Sequence, residues 1–193
     1  MEEYLQAIAR GDDDATERQV QQLTAGDEDA LLQLANATDV DERWWAVRGL
    51  AEVGTVRCLP LLEARLSDPD RSIRAAAAMA IGKQVAREPT PEVAALDAIA
   101  ALLSDPDGLV RQAAADTLAQ CGNPAVPALV NVLRTSNHEG ARTRAAGALR
   151  KIGTMQSAAA LYPLLNDPNH LVRSYAYEGL DELGLLENVL VVV

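Results

Sequence analysis

Five arginines recur in one local register, Arg43, Arg74, Arg111, Arg142 and Arg173, separated by 31, 37, 31 and 31 residues. Self-similarity at this period restricts a chain to an array of like units, each stacked on its neighbours. Glycine follows four of the arginines eleven residues later (Gly54, Gly122, Gly153, Gly184). Aspartate and then proline precede three of them, beginning six residues earlier (Asp68-Pro69, Asp105-Pro106, Asp167-Pro168).

Alignment on the arginine assigns each position. Alanine stands at +3 in every unit (Ala46, Ala77, Ala114, Ala145, Ala176) and an aliphatic at +7 (Leu50, Ile81, Leu118, Leu149, Leu180). With Val53, Cys121, Ile152 and Leu183 at +10, these define one stripe of a helix. A second apolar column at −12 (Leu31, Leu62, Ile99, Val130, Leu161) continues at −9 with Leu34, Leu102, Leu133 and Leu164, where Arg65 is the exception. That column predicts another helix. Between the two, aspartate can cap the next helix and proline cannot continue the previous one; glycine at +11 supplies a left-handed stop. Each unit is therefore a helical hairpin of about thirty residues, too small to bury its own apolar faces.

The run Leu102-Leu103-Ser104-Asp105-Pro106-Asp107-Gly108-Leu109-Val110-Arg111-Gln112-Ala113-Ala114 resembles a HEAT repeat, in the short form named for phycobilin-lyase subunits. Asp68-Pro69-Asp70 with Arg71 to Ala78, and Asp167 to Arg173, repeat the pattern, and the resemblance covers roughly residues 27–184 as five units. It implies an all-α, right-handed α-solenoid of about six stacked hairpins. It also implies a ladder in which aspartate and arginine link successive inter-helix turns, giving Asp68, Asp105, Asp167 and Arg43, Arg74, Arg111, Arg142 and Arg173 a structural role. Ala37 and Ser136 replace the aspartate, so the ladder is expected to weaken at the first and fourth units. A row of binding charges is the alternative reading of the arginines.

Length and composition agree with one helical domain over residues 1–193, in which residues 1–26 form a degenerate capping hairpin, with Asp14 and Glu17 at capping-box spacing. The period is interrupted near residues 84–91, where Pro89 and Pro91 make a stiff bend and the preceding helix is expected to lengthen. Residues 185–193 read as an apolar tail, either a cap over the last unit or a docking segment through Val189–Val193. No apolar run is long enough to span a membrane and no leader is evident, so the expectation is a soluble, cytoplasmic chain. Two cysteines, Cys58 and Cys121, suggest neither a disulfide framework nor a zinc knuckle.

Residues 1–42 hold twelve acids and two bases, nearly the whole net charge of −11; the remainder is balanced. Asp12-Asp13-Asp14 and Asp27-Glu28-Asp29 fall where helices begin, which the helix dipole favours, and neither has calcium-loop spacing. A basic partner docking on this acidic end is the functional version. The acidic balance argues against nucleic acid despite the local cluster Arg142, Arg144, Arg150 and Lys151, and against the resemblance to HEAT-like DNA glycosylases. Deoxyhypusine hydroxylase, a HEAT-repeat enzyme, binds iron through several His-Glu pairs. The single pair here, His138-Glu139, cannot furnish such a site, and no catalytic set, metal or cofactor is expected.

Positions outside the buried stripe carry the functional lead. They read Trp44, Ala75, Gln112, Thr143, Ser174 at +1, Trp45, Ala76, Ala113, Arg144, Tyr175 at +2 and Arg48, Met79, Asp116, Gly147, Glu178 at +5. Trp44, Trp45, Arg48, Met79, Gln112, Asp116, Arg144 and Tyr175 are the candidate partner-binding residues of a concave groove. Adjacent tryptophans point about 100° apart, so one of them can instead seal the first seam. The expected function is a non-catalytic scaffold or adaptor for a protein partner. The alternative implied by the resemblance is tetrapyrrole handling in the manner of phycobilin lyases or phycobilisome-related proteins, the only enzymatic reading retained.

Overall fold

A computed structural model describes residues 1–87 and 93–186. The 84–91 insertion falls partly, and the Val189–Val193 tail wholly, outside them. The described residues contain twelve α-helices and no strand, and the chain divides into two compact units, Met1–Pro91 and Glu92–Val193. The first holds α1 (Glu2–Ala9), α2 (Asp13–Val20), α3 (Glu28–Leu34), α4 (Val40–Val53), α5 (Leu59–Arg65) and α6 (Arg71–Arg87). The second holds α7 (Val93–Ala101), α8 (Gly108–Cys121), α9 (Val126–Thr135), α10 (Glu139–Ile152), α11 (Met155–Leu161) and α12 (His170–Asp181).

The second helices α4, α6, α8, α10 and α12 start for a common reason. The residue four before each arginine accepts from the free amides of the first turn: Asp39 from Asp41 and Glu42, Asp70 from Ser72 and Ile73, Asp107 from Leu109, His138 from Ala141, and Asn169 from Leu171 and Val172. Capping therefore belongs to this residue, not to the Asp-Pro aspartate two places earlier, which is occupied elsewhere. In α2 the cap is likewise Asp12, accepting from Ala15 at 2.9 Å, in place of the Asp14–Glu17 box.

Within each unit the second helices pack side by side, α4 on α6, and α10 on both α8 and α12. The +3 alanines are all completely buried, which lets these helices approach, and the +7 aliphatics are buried with them. The +10 column is only half-buried, because Val53, Cys121 and Ile152 are the last residues of their helices. The face is completed at −1 (Ile73, Val110, Ala141, Val172) and +4 (Val47, Ala78, Ala115, Ala146), all buried. Of the four +11 glycines, Gly122, Gly153 and Gly184 have positive φ, whereas Gly54 has φ −62° and ψ 150°. Glycine is required at Gly54 for room, since a Cβ there would lie 2.5 Å from the Leu50 carbonyl oxygen and 2.8 Å from Cys58 Sγ.

The N-terminal hairpin α1–α2 packs against α4. Tyr4, 1 % exposed, donates its hydroxyl to the Trp45 carbonyl at 2.5 Å, and burial raises its pKa well above the usual phenol range. No helix among the described residues is long and apolar enough to cross a membrane.

Candidate functional site

The turns are tied by arginine. Arg43 donates Nε and Nη2 to the two oxygens of Asp68 at 3.1 and 3.3 Å, while its Nη1 donates to the carbonyls of Ala37, Thr38 and Asp39. Arg142 pairs with Asp167 and donates to the Leu133 carbonyl. Arg74, Arg111 and Arg173 each donate Nη1 to the two carbonyls six and five residues earlier, at Asp68 and Pro69, Asp105 and Pro106, and Asp167 and Pro168. The aspartates also accept from the amide two residues on, Asp105 from Asp107 at 2.8 Å, for example. Arg65, the interruption of the −9 column, adds a contact to Asp68 at 3.2 Å. Ser136 accepts the turn amide of His138 but offers Arg111 no carboxylate.

The two tryptophans part company. Their rings meet edge to face with centroids 4.7 Å apart. Trp45, 6 % exposed, belongs to the core beneath the N-terminal hairpin and adds only its small exposed part to the lining of the cleft beside it. Trp44 remains half-exposed and walls an open cleft of about 560 Å³, rimmed by Asp13, Asp14, Glu17, Asp41 and Asp70. Arg48 is committed: it pairs with Glu17 at 2.6 Å and with Glu52, and Glu52 also takes Lys83 at 2.7 Å. The Lys83 contact is the largest cause holding the Glu52 carboxyl below its usual range, although burial opposes it. Arg48 thus ties α4 to α2 instead of facing a ligand. Met79 stands exposed on α6.

In the second unit, Gln112, Arg144 and Tyr175 share a depression of about 190 Å³ with Thr143, Arg150 and Lys151. Asp116 accepts from Gln112 and from Lys151, both at 2.7 Å, so it too serves the fold. The lysine bond is the chief cause that keeps its carboxyl below the usual range. Arg150 is matched by Glu178 and Glu182.

The acidic runs also divide. Asp27 closes a capping box with Thr24, buried Glu28 accepts from the Thr55 amide and hydroxyl at 2.9 Å, and Asp29 pairs with Arg57 at 2.8 Å. Asp13 and Asp14 instead line the Trp44 cleft. Their association with Asp41 and Asp70 across three hairpins was not read from the sequence. The ion pairs Glu17 to Arg48 and Glu52 to Lys83 follow an offset of one repeat, 31 residues, whereas these acids do not share that spacing and carry no such signal. Burial raises both cysteine thiols to about 11, which keeps them protonated and unreactive near neutral pH. Among the described residues no group of three or more His, Cys, Asp or Glu is placed to hold a metal.

The family model for HEAT repeats matches residues 28–98 and 96–181. A comparison with curated proteins gives no match. Among solved structures, the CpcE–CpcF complex of phycocyanin lyase from Nostoc is 24 % identical, with 81 % of this chain and 64 % of that chain covered and a TM-score of 0.54. An archaeal HEAT-like repeats protein from Thermococcus onnurineus is 18 % identical over 93 % of this chain and 75 % of its own, also at 0.54. An engineered protein is 20 % identical over 94 % and 95 %, at 0.50. At these identities the likeness is one of fold.

Proposed function

Since the chain belongs to the HEAT-repeat family, we propose that it is a binding module that captures a basic segment of a protein partner in the Trp44 cleft. The observation that carries this reading is the half-exposed Trp44 indole lining one open cleft with five carboxylates, of which Glu17 is already paired with Arg48. Such a surface favours a lysine or arginine side chain twice over, through the ring quadrupole and through charge. Stacked helices hold the wall in place beforehand, so little ordering entropy is lost on binding.

An oligolysine peptide titrated into the protein and followed by anisotropy should bind, more weakly at high salt. Trp44→Ala should weaken it about tenfold, and Asp13→Asn with Asp14→Asn should weaken it further and flatten the salt dependence. Equal binding by all three proteins, or equal binding of an acidic peptide, would sink the reading.

The repeat type and the Trp44 ring also support tetrapyrrole handling. Against it, a bilin brings propionate carboxylates of its own, which the five acids repel. A bilin absorbance titration without a spectral shift would remove this alternative.

A further inference from the structure

In the second unit, Arg111 and Arg144 lie near one another and neither has a carboxylate partner among the described residues. Arg111 donates Nη1 to the Asp105 and Pro106 carbonyls, yet its Nε is shut off from solvent with no acceptor. The reason is Ser136, which stands 25 residues after Arg111, as Asp68 does after Arg43 and Asp167 after Arg142. Arg144 donates only to the Gly140 carbonyl of its own helix, at 3.0 Å. Burial first, and the Arg111 charge second, push its pKa below the usual arginine range. Its neighbours differ: Arg150 and Lys151 are each matched by acids.

Two like charges held near one another at reduced dielectric raise each other's energy, and a counter-anion relieves both. Arg144 lines the 190 Å³ depression, which has no acid among its lining residues. Tyr175 lies over Gly147, its ring 3.5 Å from where a Cβ would stand, and presents a phenol to the same space. We propose that this depression binds one oxyanion group, a phosphate or a carboxylate, with Arg144 as the charged ligand and the Tyr175 hydroxyl as a neutral donor. A guanidinium fork suits either group. The site is independent of the Trp44 cleft and stands or falls without it.

Amide resonances of the intact protein provide the test, with inorganic phosphate and acetate titrated separately at constant ionic strength against sodium chloride. Saturable shifts centred on Thr143 to Lys151 and Tyr175 are expected with at least one anion, and the tighter of the two identifies the source. Arg144→Gln should weaken that binding at least about tenfold with an unchanged helical signal, and Arg144→Lys should fall between. Linear, unsaturable shifts with both anions, or an Arg144→Gln protein that binds as tightly as the parent, would overturn the proposal.

Discussion

Asp68 receives hydrogen bonds from both Nε and Nη2 of Arg43, from Arg65 and from the Asp70 amide, at a site where its side chain is 1 % exposed. Burial alone would raise its pKa; the Asp70 amide and the two guanidiniums outweigh burial and hold the carboxyl below its ordinary value. Asp68→Asn leaves Arg43 buried without its counter-charge, and should cost roughly 3 kcal/mol in denaturant unfolding at neutral pH. A carboxyl with a depressed folded-state pKa contributes stability above its unfolded-state pKa and loses it as pH falls through the folded value. The difference between parent and variant should therefore be complete at neutral pH and shrink below about pH 4. A difference that stays constant into that range would show that the charge of Asp68 is not what stabilises the turn.

Each hairpin turn holds an arginine bound to backbone carbonyls that precede it, and Arg43 and Arg142 also bind the next aspartate of their own unit. The α8–α10 seam lacks the second half. Ser136→Asp should supply it and raise the denaturant midpoint by an amount equivalent to about 1 kcal/mol, with no gain in an Arg111→Ala background. Helices, their order and the columns at +3 and +7 were legible because every unit repeats them under the same packing constraint. The fate of Trp44 and Trp45 was not, because it depends on Tyr4 and the degenerate first hairpin, which has no counterpart elsewhere in the array. Arg48 and Asp116 misled for a related reason: they sit at outward positions, and their partners Glu17, Glu52 and Lys151 lie on the same or an adjacent helix.

Across the whole molecule, stability in a repeat array is a sum of hairpin terms and nearest-neighbour seams. Leu149→Ala, which empties a fully buried position in α10, should cost about 3 kcal/mol and accelerate amide exchange in α8 to α12, while α1 to α4 keep their protection. Uniform acceleration along the chain would mean that the array opens as a single block. The missing tie at Ser136 has a mechanical meaning as well. Along the second unit's turns, shear is carried by ion pairs where they exist and by side-chain packing alone where they do not. Between α8 and α10 the turn tie is missing, and the ties that remain, Lys151 to Asp116 and Thr154 to Asn123, lie toward the far ends of the two helices, so this seam is pinned at one end and can open at the other like a hinge.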